Sequence, residues 1–303
     1  MYPPPALIET NVFASLPNTL RLAGTPSSWL EHRPHGKIDS FLEGPCIDRN
    51  GTLFCTDIPF GRIFRIDGSG SFHLVARYDG EPNGMKIHRE GYALIADHRR
   101  GLVRMNLDTG SVTTVMERAW AEHFRGLNDL IFHSSGDVYF TDQGQSGLQD
   151  PCGRVFRLRV NGTLECVLDG IPSPNGLAFN PDETVLYLNV TRANAVWRIP
   201  LDARGHASKV GVFINMSGGG GPDGIAVDQK GNLIVANPGT GSVWIFSPRG
   251  VPLYQIVSCT DGRPTNIAFG GPDNRTLYIT DSQSGSILRA EMPAPGLRLY
   301  GQG

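Results

Sequence analysis

With 303 residues, 40% hydrophobic content and 38 glycines, the chain is long enough to bury a large core and rich in the residue that tight β-turns need. A net charge of −2 without any Lys/Arg block gives no reason to expect nucleic-acid or anionic-membrane binding, and no apolar run is long enough to span a bilayer. The opening MYPPPALIET lacks the basic start and apolar stretch of a secretory signal, so the expectation is a cytoplasmic protein, a monomer or weak homo-oligomer.

In chain order, residues 6–41, including IETNVFASL, precede the first full repeat. They are expected to supply the outer strand of the last blade, because the C-terminal LRLYGQG is short. Six copies of one pattern follow: EGPCIDRNGTLFCTD, PNGMKIHREGYALIAD, LNDLIFHSSGDVYFTD, PNGLAFNPDETVLYLN, PDGIAVDQKGNLIVAN and PTNIAFGGPDNRTLYITD. Each holds two short runs of alternating apolar and polar residues around a turn, which is a β-hairpin. A third strand comes next (GRIFRID, GLVRMNL, GRVFRLR, NAVWRIP, GSVWIFS, GSILRAE), then a weaker fourth such as SFHLVAR or TLECVLD. A repeat of roughly 40 to 48 residues with four antiparallel strands is a propeller blade. The expected fold is therefore all-β, a six-bladed β-propeller in one domain over residues 1–303. The five cysteines are odd in number and lack zinc spacing, and in an unbulged register Cys46 and Cys55 fall on opposite faces. All five are expected as thiols.

Two polar positions recur. Glu43, Asn83, Asn128, Asn175, Asp223 and Thr265 stand just before the first, innermost strand; Asp57, Asp97, Asp142, Asn189, Asn237 and Asp281 end the second. The offset is fourteen residues in five copies and sixteen in the last. In an antiparallel hairpin both positions lie at one end, so all these groups gather at one mouth of the channel. Asp and Asn at strand ends commonly cap turns, which is the reading for the second set. In the first set capping explains Asn well and Glu poorly. Two carboxylates among amide oxygens around an axis suit a hard divalent cation.

These residues carry a resemblance. LEGP at Glu43, LNDLIF at Asn128 followed by VYFTD, SPNGLAFNPD at Asn175, PDGIAVDQKGNL at Asp223 and the later NIAFGG resemble the gluconolactonase and regucalcin (senescence marker protein) family of six-bladed propeller lactonases, over roughly residues 40–290. The resemblance implies hydrolysis of a small lactone. It implies one divalent ion held by Glu43, Asn175 and Asp223, with Asn128 at or beside it. Calcium is the first choice, with Zn2+, Mn2+, Mg2+ or Fe2+ as alternatives. Asp223 would double as the acid–base residue and Asp129 is second in line, although its slot, glycine in other blades, also suits a backbone turn. Asn83, His98 and Arg125 are candidates for substrate contact.

The pattern also departs from the family. Ile47 stands where an aromatic is usual, after Cys46, and Gly126 stands where some members carry a sugar-contacting Arg, with Arg125 one place off. That leaves open an esterase acting on non-sugar esters, and a non-catalytic metal-binding scaffold. No nucleophile elbow appears in a strand-to-helix context, and the glycine run Gly218–Gly221 lacks the Lys-Ser/Thr of a phosphate loop. It reads as a flexible or close-approach segment beside Asp223. Residues 143–153 lengthen one mouth loop, the kind of insertion that sets specificity.

Overall fold

In the computed structural model, which describes residues 3–31 and 38–302, the six repeats form six sheets around a channel, a six-bladed β-propeller. Blade one runs outward from the axis through Leu42–Ile47, Leu53–Asp57, Arg62–Ile66 and Phe72–Arg77, all antiparallel. The innermost strands of blades two to six are Pro82–Ile87, Leu127–Phe132, Pro174–Phe179, Ile225–Val227 and Pro264–Gly270. A small hairpin, Arg118–Ala119 with Glu122–His123, sits between blades two and three. No helix among the described residues is long and apolar enough to cross a membrane.

Alternation along each strand explains the stacking. On Leu53–Asp57, Leu53 and Cys55 face blade six with Ala268 and Ile287, whereas Phe54 faces blade two with Met85 and Ile95. Buried clusters of this kind fill each of the six gaps between neighbouring blades. Both faces of a middle strand are therefore apolar, and no sheet would be stable alone. Cys46 and Cys55 belong to different gaps, and all five cysteines are free thiols. Burial pushes both of these thiols up, Cys46 to about 12.

The N-terminal segment closes the ring as expected: Asn11–Ser15 pairs antiparallel with Ser286–Glu291 as the outer strand of blade six. It also does something the repeat pattern did not announce. Ala6–Glu9 pairs in parallel with Pro252–Val257, adding a fifth strand to blade five. Thr10 joins the two additions, its Oγ1 donating to the Val257 carbonyl at 2.9 Å and accepting from the Cys259 N–H at 2.9 Å.

Five of the six innermost strands, all but that of blade five, share a defect. Pairing slips between Glu43 and Cys46, Pro82 and Met85, Leu127 and Leu130, Pro174 and Leu177, and Pro264 and Asn266. A β-bulge bends its strand and re-aims the residues at the slip. Here those residues are the axial positions of the five blades and their immediate neighbours; Asp223 instead lies just before its strand.

Candidate active site

One mouth of the channel opens into a cavity of about 910 Å³ lined by Glu43, Asn83, Asn128, Asn175 and Asp223, with His98 beside them. Five of the six axial positions thus converge. The sixth does not: Thr265 Oγ1 donates to the Leu42 carbonyl at 3.2 Å, tying the last blade to the first, and is absent from the lining.

The second polar set anchors turns. Asp57 Oδ1 accepts from the Phe41 N–H at 2.7 Å, Asp142 Oδ1 from those of Arg125 and Gly126 at 2.7 and 2.9 Å, and Asp281 Oδ1 from that of Arg263 at 3.0 Å. Asp97 accepts the N–H groups of Glu81, Arg99 and Arg100. Asn189 Nδ2 donates to the carbonyls of Asp223 and Gly224 at 2.7 and 3.1 Å, which fixes the backbone that carries Asp223. Asn237 is the exception. It is fully buried beside Gly219 and Gly239, and neither its Oδ1 nor its Nδ2 has a hydrogen-bond partner.

Asn175 is the most informative member of the ring. Its Nδ2 donates to Thr191 Oγ1 at 3.2 Å, and that hydroxyl donates to the Pro222 carbonyl at 2.8 Å, so the amide cannot easily flip. This leaves Asn175 Oδ1 buried without a hydrogen-bond partner. The Oδ1 atoms of Asn189, Asn194 and Asn237 are partnerless as well, and of these four residues Asn175 alone lines the cavity. A desolvated carbonyl oxygen without a donor is unfavourable unless something positive occupies its front. Glu43 Oε2 accepts from the Gly44 N–H at 2.8 Å and from Asn266 Nδ2 at 2.9 Å. Burial still raises its carboxyl to about 7, with the negative charge of Asp129 adding to the rise. A nearby cation would reverse that penalty. Asn128 Nδ2 donates to Gln143 Oε1 at 3.1 Å and Gln143 Nε2 to Ser173 Oγ at 2.9 Å, linking the long mouth loop to the ring. Among the described residues no three His, Cys, Asp or Glu side chains gather as a metal-holding group, and the axial residues that line the cavity carry carboxylates and amides.

Asp129 lies beneath this ring rather than in the cavity lining. Its Oδ1 accepts from its own neighbour, the Leu130 N–H, at 2.8 Å and faces Lys86 Nζ at 3.5 Å; Oδ2 lies 3.4 Å from Asn266 Nδ2. The bond to the Leu130 N–H is that of a backbone turn, and the contacts with Lys86 and Asn266 join three innermost strands. Asn266 was missed, though the signal was present: it fills the same slot as Asp129, where the other four blades have Gly44, Gly84, Gly176 and Gly224. A Cβ at Gly84 would overlap Asp129 Oδ1, and one at Gly224 would overlap Asn266 Oδ1. Glycine in these slots makes room for the two side chains.

Of the expected substrate contacts, Asn83 and His98 line the cavity and Arg125 does not. Asp142 holds the Arg125 backbone, and its guanidinium turns outward to the Cys152 carbonyl at 2.6 Å, bracing the long loop instead. The departure at Gly126 has a physical counterpart. Its φ is +141°, and a Cβ there would collide with the His98 ring, so the imidazole occupies the space a longer side chain would need.

Relatives agree with this architecture. A gluconolactonase of Zymomonas mobilis is 31% identical over 274 residues, covering 80% of this chain and 76% of that one. A lactonase drp35 of Staphylococcus aureus is 31% identical over 245 residues, covering 77% and 74%. The fold matches the solved structure of a calcium-binding protein, regucalcin, from Agrobacterium tumefaciens, with a TM-score of 0.74 at 24% identity over 97% of this chain and 99% of that one. Residues 41–283, from the blade-one strand to the turn after Asp281, match the family described as the SMP-30/Gluconolactonase/LRE-like region, and the chain belongs to that family.

Proposed function

We propose that the protein is a divalent-metal-dependent lactonase acting in the mouth cavity, with Glu43, Asn175 and Asp223 holding the ion and Asn128 beside them. The observation that carries this reading is the buried, partnerless Oδ1 of Asn175, in a slot equivalent to those of two carboxylates. The gluconolactonase and lactonase relatives support a lactone as substrate. The all-oxygen donor set favours a hard cation, calcium first, and the calcium-binding regucalcin neighbour supports the same choice. When bound, such an ion supplies Lewis acidity to the ester carbonyl and offsets charge on its oxygen.

The chain's own groups account for the rest. Asp223 accepts a proton from the water that adds to the carbonyl carbon and delivers it to the ring oxygen as the C–O bond breaks, so lactone and water give one hydroxy acid. Asn189 holds the Asp223 backbone in register for that transfer. Asn83, Gln143, Gln145 and Gln149 line the cavity with amides that match hydroxyl groups, which favours a hydroxylated lactone over an aryl ester. A lactone panel assayed after chelation and after readdition of single metals tests the reading. Activity that survives chelation undiminished would overturn it.

A further inference from the structure

The opposite mouth of the channel holds a second cavity, of about 650 Å³, within the range of small-molecule sites. Its walls are the far ends of the innermost strands, where Ile131, Ala178, Ala226 and Ala268 occupy one equivalent slot in blades three to six. Lys86 fills that slot in blade two and is engaged from above by Asp129 Oδ1 at 3.5 Å. The C-terminal segment closes one side: the Leu297 N–H bonds to the Val227 carbonyl at 3.0 Å, and Tyr300 stacks on Phe132 with ring centres 5.3 Å apart.

Two further cations line this cavity around Tyr300. The Arg89 guanidinium lies over the Tyr300 ring, 5.1 Å from its centre, and Arg298 makes no hydrogen bond or ion pair with any described residue. Among the described residues Glu183 is the one carboxylate in the lining, and its oxygens are already bonded elsewhere. Its Oε1 accepts from the Ser134 N–H at 2.8 Å, and its Oε2 lies 3.3 Å from His133 Nε2. Apolar depth, with Arg89 and Arg298 at the rim paired by no described carboxylate, is complementary to an anion that carries an apolar tail.

We propose that this cavity binds an amphipathic monoanion, a carboxylate on a hydrocarbon tail. The tail lies against Ile131, Ala178, Ala226 and Ala268, and the head sits at the rim between Arg89 and Arg298. The site is separate from the catalytic mouth and does not depend on the proposed reaction.

Calorimetric titration of the chelated full-length protein with sodium decanoate tests the site. Saturable one-to-one binding is expected, weakened by about tenfold or more in Arg298→Gln, a surface change that leaves the fold intact, and in Ala226→Leu, which fills the apolar wall. Decanol, with the same tail and no charge, should bind more weakly than decanoate. In the metal-loaded protein decanoate should leave the KM for a lactone unchanged. Absent saturation, equal affinity in wild type and both variants, or a rise in the KM for the lactone when decanoate is added to the metal-loaded protein would each overturn the inference. The last outcome would place the carboxylate at the catalytic mouth instead.

Discussion

Glu43→Gln keeps the side-chain volume and removes its charge. In the metal-free protein burial raises the Glu43 carboxyl from 4.5 to about 7, a rise that hydrogen bonds from Gly44 and Asn266 moderate and the Asp129 charge reinforces. For so deeply buried a group the rise corresponds to about 3 kcal/mol. The folded-state value is the higher one, so between these limits the native protein holds a proton that the unfolded chain has released. Stability contributed by the neutral form is complete below pH 4.5 and is lost as pH climbs through about 7. Glutamine has no proton to lose. In chelator, the stability of Glu43→Gln relative to wild type should therefore grow by about 3 kcal/mol from acid to mildly alkaline pH. Urea unfolding of both proteins at several pH values reads the difference, because titrating groups remote from Glu43 cancel between them and only Asp129, whose charge acts on Glu43, does not. Parallel pH profiles would refute the desolvated carboxyl. Added calcium should reverse the order at alkaline pH, since the ionised form is the one that ligates.

Metal titration separates binding from proton transfer: excess calcium should restore part of the activity of Glu43→Gln but not of Asp223→Asn, because an amide can ligate and cannot act as a base. Full recovery of Asp223→Asn would move the base elsewhere. Asn175→Leu removes an oxygen that has no partner in the metal-free protein and one hydrogen bond, from Nδ2 to Thr191 Oγ1, so stability in chelator should fall by no more than about 1 kcal/mol, while the rise in melting temperature on adding calcium disappears. A calcium-induced rise of wild-type size would argue against Asn175 as a ligand. Arg62→Met strands Asp57, whose carboxylate is fully buried and 2.5 Å from the guanidinium; burial already holds its carboxyl above the usual range despite Arg62. A loss of about 3 to 5 kcal/mol is expected in urea unfolding, and a loss under about 1 would mean that Asp57 takes up its proton at little cost.

The architecture was legible because it is written locally and repeated. Period-two alternation over a few residues, a turn, and the return of the pattern six times leave one way to bury both faces of every middle strand. The axial residues were legible for the same reason: a constant offset within a hairpin forces Glu43, Asn83, Asn128, Asn175 and Asp223 to one end. The readings that failed or fell short lie where side-chain direction or a distant partner decides. Thr265 shares the slot, yet its hydroxyl turns to blade one. Arg125 is adjacent to the mouth in sequence, yet Asp142 and the Cys152 carbonyl draw it outward.

Spacing along the chain thus dictates blades, mouth and ring, since each follows from contacts within some fifteen residues. The interior of the channel follows from contacts between blades far apart in sequence. Asp129 and Asn266 meet because blades three and six face each other across the axis, and the glycines at 84 and 224 leave them space. Likewise Ala6–Glu9 takes its parallel partner, Pro252–Val257, from blade five near the other end of the chain. No local pattern encodes such encounters, because they depend on how six similar units are arranged around one axis.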